Sequence, residues 1–172
     1  MAHSIAVPTG TRISMQLAGA DFYDAYAVPV QDAGKTALEL YLDVVAVTPG
    51  WVNFLMAMRN RIVALFGLKN LGRMGSVKTA KDANSYKVGD RVGIFSIFSL
   101  SQQEIILGDA DKHLTAQVSI YKISVDGQCK VVVTTVVHTN NLLGRVYLFF
   151  VVPVHRIIVP AMLTRSFNAR RK

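Results

Sequence analysis

The segment 141–167, NLLGRVYLFFVVPVHRIIVPAMLTRSF, decides the fold expected for this chain. Asn140 and Asn141 are good N-cap residues, and a mostly apolar run of helical character follows them directly. The sequence therefore predicts a long C-terminal helix. At 100° per residue, one broad apolar stripe is predicted on this helix, formed by Leu143, Val146, Tyr147, Phe150, Val154, Ile157, Ile158 and Ala161.

Two prolines and three basic or ionisable side chains interrupt the terminal segment. Pro153 and Pro160 each remove a backbone donor, which predicts a kink or a break in the helix. A membrane span needs about 20 apolar residues. Between Arg145 and the pair His155 and Arg156, only residues 146–154 are uninterrupted. We therefore expect a buried or cavity-lining helix and no transmembrane segment.

Four β-type segments precede the terminal helix, at 91–99, 102–109, 113–125 and 129–139. The pair Asp126-Gly127 between the last two is a strong hairpin signal. In the third segment, apolar and polar residues alternate, as in strands with one wet face. The order predicts an antiparallel meander that leads into the terminal helix.

The first half of the chain predicts one strand and two helices, in addition to an extended lead-in over residues 1–20. The strand is expected at 21–30 and the helices at 36–47 and 51–67. The apolar stripe expected on the second helix consists of Trp51, Leu55, Met58, Ile62 and Leu65. Residues 68–90 read as an exposed loop. The sequence around the glycines of this loop lacks the Lys-Ser/Thr pair of a phosphate-binding loop.

These elements predict an α+β fold in which a curved antiparallel sheet wraps around a long C-terminal helix, the helix-grip arrangement. Two shorter helices lie between the first strand and the meander. We expect one domain over 1–172, with 1–20 as lead-in and 166–172 as a basic tail. A hydrophobic content of 51% with 17% charged residues fits a large core or an internal apolar cavity.

The charge and the cysteine content indicate which binding partners and which cellular compartment to expect. The net charge is +8, but the basic residues are scattered and do not alternate with aromatics, so nucleic-acid binding is not expected. Weak contact of the tail residues 170–172 with anionic membranes stays open. Cys129 is the single cysteine and residues 1–12 do not resemble a signal peptide, so we expect a cytoplasmic protein. No oligomeric state is specified by the sequence.

The order of elements resembles the START and birch-pollen-allergen superfamily, also known as SRPBCC. The resemblance implies an apolar cavity enclosed between the sheet and the terminal helix. Over about residues 20–165 the chain is also similar to an uncharacterised bacterial domain-of-unknown-function family of that superfamily. The stretches that carry this similarity are Arg59-Asn60, 66–68, 88–95, 104–108, His113-Leu114, 143–147 and 153–156. The family brings no established chemistry with it.

Four candidate ligand contacts lie on the terminal helix: Arg145, Tyr147, His155 and Arg156. His155 and Arg156 are expected beside the predicted cavity, where one of them contacts a polar head group or acts as a general base. The alternative is that both face solvent or pair with an acidic residue. Tyr147 either points its hydroxyl into the cavity or is a core tyrosine with one hydrogen bond.

The other candidates, Arg59, Glu104 and His113, lie outside the terminal helix. Arg59 either reaches water or turns inward to hold an anion or a carboxylate. Glu104 is a possible partner of Arg145 or of a ligand, or forms an ion pair at a strand end. His113 follows two aspartates, but no second ligand lies at metal-binding spacing, so a surface histidine beside a turn-capping aspartate is expected and no metal is predicted. The chain has no cofactor fingerprint and no G-x-S-x-G nucleophile motif.

Three functions fit these features. The favoured one is a non-enzymatic module that binds a hydrophobic small molecule or lipid, such as a fatty acid, isoprenoid or polyketide-like compound, in the cavity. The second is a cyclase- or isomerase-like enzyme that uses an acid–base residue in the same cavity. The third is a non-catalytic interaction protein whose cavity is filled by its own side chains.

Overall fold

A seven-stranded antiparallel sheet forms the body of the protein. The computed structural model describes residues 1–31, 34–64, 82–125 and 128–168. The strand order is β1-β2-β7-β6-β5-β4-β3, and the sheet is open. The strands are β1 (His3–Ser4), β2 (Phe22–Pro29), β3 (Arg91–Val92), β4 (Phe95–Leu100), β5 (Glu104–Ala110), β6 (Leu114–Val125) and β7 (Gln128–Thr139).

Three α-helices complete the α+β fold, which confirms the predicted class. They are α1 (Ala37–Ala46), α2 (Gly50–Ala64) and the long C-terminal α3 (Leu142–Asn168). Two short 3₁₀ helices cover Ile13–Gln16 and Ala83–Ser85. A reciprocal capping box begins α1: Thr36 Oγ1 accepts from the backbone N–H of Glu39, and the Glu39 carboxylate accepts from that of Thr36.

The sheet has two differently covered faces, here called inner and outer. The inner face packs against α1 and the C-terminal half of α3, and forms the main core. Members of that core include Val28, Ile97, Leu107, Ile120, Val131 and Val133 from the strands, and Met162 and Leu163 from α3. The outer face is covered by the N-terminal segment, where Ile13 packs with Ile106 and Val136.

The prediction of an extended lead-in over residues 1–20 is wrong in part. His3–Ser4 pairs with β2 as an edge strand, and Ile13–Gln16 is a 3₁₀ helix. Ile13 is fully buried. Successive residues of a strand place their side chains on opposite faces of the sheet, and Ile106 and Val136 are apolar residues of the outer face, which therefore requires a cover. The N-terminal segment supplies that cover.

Of the two effects predicted for the prolines, a kink or a break, the break does not occur, because α3 runs unbroken through Pro153 and Pro160. Pro153 is exposed. The buried Leu148 before it and the half-buried His155 after it hold the helix to the sheet. Helix α3 also extends to Asn168, beyond the expected start of the basic tail, and Ser166 is buried.

The predicted apolar stripes of α2 and α3 do not match the faces that the fold buries. On α3, Leu148, Met162 and Leu163 are buried, whereas Val146, Phe150 and Ile157 of the predicted stripe are exposed. On α2, Val52 is buried while Trp51 and Met58 are exposed. Both helices carry apolar residues on nearly all sides, so helical periodicity alone does not select the packed face.

The predicted strands are present, but the exposed loop predicted over 68–90 is wrong in part, because its described portion contains the 3₁₀ helix Ala83–Ser85 and Tyr86 is buried in the main core. The first β segment is divided into β3 and β4 by a turn at Gly93, whose φ is 64°. The predicted hairpin turn at 126–127 and most of the predicted loop, together with Leu65, lie outside the described residues.

Candidate functional site

The beginning of α3 is fixed against the turn between β5 and β6. Asn141 is the N-cap residue: its Oδ1 accepts the backbone N–H of Gly144 at 3.0 Å, and its Nδ2 lies 3.0 Å from Nδ1 of His113. A Cβ on Gly144 would overlap the carbonyl oxygen of His113, so glycine is required for this close approach. The helix therefore starts at a defined position beside the inner face of the sheet.

An ionisable pair joins the middle of α3 to β2. His155 Nε2 lies 3.3 Å from Oδ1 of Asp24. The two side chains are 19% and 11% exposed, so the pair is mostly screened from solvent. The Phe22 ring packs edge-on against the His155 imidazole, with centroids 5.6 Å apart. Among the described residues, this pair brings a predicted polar residue of α3 against an acid on the inner face.

Two buried oxygens beside this pair have no hydrogen-bond partner of acceptable geometry among the described residues. They are Oδ2 of Asp24 and Oγ1 of Thr135. Asp24 on β2 is directly opposite Thr135 on β7, and both side chains point to the inner face. Buried polar atoms are normally hydrogen-bonded, and leaving one unpaired costs about 1–3 kcal/mol. The two oxygens thus lie on neighbouring strands beneath α3, each without a hydrogen bond of good geometry.

Aromatic side chains border the Asp24–His155 pair. Tyr26 lies two residues after Asp24 in β2 and therefore on the same face of the sheet. Burial, then the charge of Asp24 and a hydrogen-bonding interaction with its carboxylate, raise the pKa of Tyr26, so its hydroxyl stays protonated beside Asp24. The guanidinium of Arg156 lies 5.8 Å from the centroid of the Phe22 ring, and the arginine itself is exposed.

A second polar contact joins α2 to α3. Arg59 turns inward: its Nε donates to the Tyr147 hydroxyl at 3.0 Å, its guanidinium lies 5.3 Å from the Tyr147 ring centroid, and its Nη1 donates to Oδ1 of Asn60. Of the two predictions for Arg59, the inward orientation is the one observed. The partners observed include the Tyr147 hydroxyl and the Asn60 side chain.

The remaining predicted site residues lie elsewhere. Glu104 is on the outer face, where its carboxylate accepts from the backbone N–H groups of Arg12 and Ile13 and from the Ser119 hydroxyl. Arg145 is exposed at the start of α3, and its charge contributes to lowering the pKa of Asp21. Neither residue contacts the Asp24–His155 pair.

His113 differs from its predicted surface position, because it is only 8% exposed. Asp111 caps the turn as expected, with Oδ1 accepting from the backbone N–H groups of His113 and Leu114. In the parts of the chain that the structure describes, no group of three or more His, Cys, Asp or Glu side chains could hold a metal ion.

The residues that the sequence did not identify are Asp24 and Thr135. A sequence signal exists for Asp24, because it is an acid at an inward position of an otherwise apolar strand. Acidic side chains are rarely buried without a partner. Thr135 has no comparable signal, because threonine is common in strands and β7 contains four threonine or histidine positions near its end.

Helix α3 is also long and apolar enough to cross a membrane, judged by length and composition only. Only 11% of the window that meets this test is buried in the structure. A core helix that meets the same test would be mostly buried. The outward side of α3 is therefore an apolar surface, in addition to the polar site beneath the helix.

The protein is thus an open antiparallel sheet covered by a long helix, with the Asp24–His155 pair on the inner face of the sheet beneath that helix. Within this class, the chain belongs to the family described as "Protein of unknown function (DUF2867)", whose model matches residues 16–162. No curated protein and no solved structure matches the chain.

Proposed function

We propose that this protein binds a hydrophobic small molecule or lipid between the inner face of the sheet and α3, as in the START-like superfamily that its sequence resembles. The observation that carries the proposal is the pair of buried, unpartnered oxygens, Asp24 Oδ2 and Thr135 Oγ1, which belong to residues directly opposite each other on the inner face of adjacent strands. A ligand with a polar group at this position would supply the missing hydrogen bonds.

The chemistry of the two oxygens selects the polar group of the ligand. Asp24 Oδ2 only accepts when the carboxylate is ionised, and the Thr135 hydroxyl can donate or accept. A ligand hydroxyl satisfies both, since it donates to the carboxylate and accepts from the threonine. A ligand carboxylate would place a second negative charge beside Asp24. The proposed ligand is therefore an apolar alcohol, for example an isoprenoid or long-chain alcohol, in preference to a fatty acid.

Native mass spectrometry of the freshly purified protein, repeated after denaturing extraction, is the first test. The protein is then incubated with 1-dodecanol or with dodecanoate, two probes of equal chain length. We expect one equivalent of the alcohol to be retained about tenfold more strongly than the acid, a difference of about 1.4 kcal/mol. Retention of neither probe, or equal retention of both, would contradict the proposal.

Two variants locate the probe at the proposed site. Thr135→Val keeps the shape of the side chain and removes the hydroxyl, and Asp24→Asn removes the charge that disfavours a carboxylate. We expect Thr135→Val to weaken retention of the alcohol about fivefold, and Asp24→Asn to abolish the discrimination between the probes. The matched control is Thr134→Val, the same substitution one residue earlier in the strand, on the outer face. It should leave retention unchanged.

A second candidate function is an isomerase- or cyclase-like activity in the same space. The observation in its favour is the His155–Asp24 pair, because a carboxylate that orients an imidazole is a common arrangement for a general base. If the protein is an enzyme, His155→Gln should remove turnover of a bound substrate while leaving its binding nearly unchanged. A binding module would lose affinity only modestly and would show no turnover in either form.

A further inference from the structure

The outward side of α3 carries a continuous row of large apolar side chains, here called the exposed stripe. Its members are Leu142, Val146, Phe149, Phe150 and Ile157, with exposed fractions of 75%, 47%, 74%, 68% and 65%. They follow one side of the helix over about 22 Å at 1.5 Å per residue. The outward side of a helix packed on a sheet is usually polar. Exposed apolar surfaces of this extent normally bind a partner.

The charged residues of α3 beside the exposed stripe are all positive. Helix α3 contains Arg145, Arg156 and Arg165 and no Asp or Glu, and all three arginines are exposed. Arg145 and Arg156 are eleven residues apart, about three turns, and therefore lie on the same side of the helix next to the stripe. Helix α2 shows the same combination: it has exposed Trp51, Phe54 and Met58, and its charged residues are arginines only.

We propose that the exposed stripe of α3 binds the surface of an anionic lipid bilayer, with the helix axis in the plane of the membrane. Phenylalanine and leucine side chains enter the boundary between head groups and acyl chains, while arginines at the edge contact lipid phosphates. A second copy of this chain fits less well. A symmetric dimer through the stripe would bring together arginines of both copies with no acidic residue on either α3 to compensate them.

Contacts on the inward side of α3 explain why the helix lies on the membrane instead of crossing it. Gly144 is packed against the carbonyl of His113, and His155 pairs with Asp24. Met162 and Leu163 belong to the main core. A spanning helix would lose all of these contacts and would expose the inner face of the sheet. Insertion of the exposed stripe alone preserves them, and it occurs on the opposite side of α3 from the proposed ligand site.

The test is flotation of the full chain with vesicles of two compositions: phosphatidylcholine alone, and equal parts phosphatidylcholine and phosphatidylglycerol. We expect clear binding to the mixed vesicles, with at least about tenfold weaker binding to the neutral ones and weakening at high salt. The double variant Phe149→Gln/Phe150→Gln should bind the mixed vesicles at least about tenfold more weakly. The conservative double variant Phe149→Leu/Phe150→Leu should retain most of the binding.

Two further variants separate this surface from general effects. Tyr23→Gln changes an exposed aromatic residue on the outer face of the sheet and should leave binding unchanged. Arg145→Gln/Arg156→Gln keeps the exposed stripe and removes two positive charges, and should weaken binding to the mixed vesicles about tenfold with no effect on neutral ones. Thermal unfolding of each variant, compared with that of the wild type, identifies any that fail to fold.

Three outcomes would overturn the proposal. The first is no binding of the wild type to the mixed vesicles. The second is unchanged binding of the folded Phe149→Gln/Phe150→Gln variant. The third is a wild-type dimer, seen by sedimentation, that becomes monomeric in this variant, since the stripe would then be a contact between copies. Retention of 1-dodecanol is measured in parallel, so the ligand site and the membrane surface can fail independently.

Discussion

Two carboxylates lie on opposite faces of the same sheet, and their surroundings differ. On the outer face, Glu104 accepts the backbone N–H of Arg12 at 2.8 Å, that of Ile13 at 3.2 Å and the Ser119 hydroxyl at 2.8 Å. On the inner face, Asp24 contacts His155 through one oxygen while the other has no partner among the described residues.

This difference separates a structural carboxylate from one with unused hydrogen-bonding capacity. Glu104 fixes the start of the 3₁₀ helix Ile13–Gln16 on the sheet, and thereby the N-terminal segment that covers the outer face. Its hydrogen bonds are used within the fold. Asp24 contributes less to the fold and retains an acceptor for a ligand. Burial of an acid is common to both, so burial alone does not identify the functional one.

The largest effect is expected from Glu104→Ala. Three donors lose their acceptor at a buried position, and we expect the free energy of unfolding to fall by about 3 kcal/mol. Asp24→Asn should change it by about 1 kcal/mol or less, because asparagine keeps an acceptor oxygen at this position. Urea denaturation followed by circular dichroism measures both. Equal losses in the two variants would remove the distinction between the carboxylates.

A smaller effect is expected from the hydroxyl that accompanies each carboxylate. Ser119→Ala deletes a donor to Glu104 and should lower the free energy of unfolding by about 1–2 kcal/mol. Thr135→Val deletes an unpartnered buried hydroxyl and should leave stability unchanged or raise it by up to about 1 kcal/mol. Chemical denaturation of the two variants side by side provides the measurement. Destabilisation by Thr135→Val would show that this hydroxyl is already used in the fold.

The smallest effect concerns Asp21, which is hydrogen-bonded like Glu104 but exposed. Hydrogen bonds from the backbone N–H and the hydroxyl of Thr139 lower its pKa below the ordinary value of 3.8. A lowered pKa in the folded state means that the stabilisation is complete above the ordinary value and is lost as the pH falls through the lowered one. Because the group is exposed, we expect about 0.5 kcal/mol or less.

Asp21→Asn therefore should differ from the wild type in unfolding free energy at neutral pH and converge with it as the solution is acidified below about pH 4. Urea titrations across this pH range measure the difference. A gap that grows on acidification would have the opposite sign and would exclude the hydrogen bonds of Thr139 as its origin.

The candidate site was predictable only in part. His155, Arg156, Tyr147 and Arg59 were singled out because they are polar residues on apolar helices, and such residues stand out in a sequence. The register that places Asp24 opposite Thr135 depends on how β2 pairs with β7, more than one hundred residues later in the chain. A pattern within one segment contains no information on that pairing.

The sequence by itself determined most of the elements, because strand alternation and capping residues act over a few neighbouring residues. It correctly predicts β2, the meander, α1 and the beginning of α3 at Asn141. Which side of an element faces the core was decided by the tertiary structure. Helices α2 and α3 are apolar on nearly all sides, so the buried face depends on what packs against each of them, as the exposed Phe149 and Phe150 show.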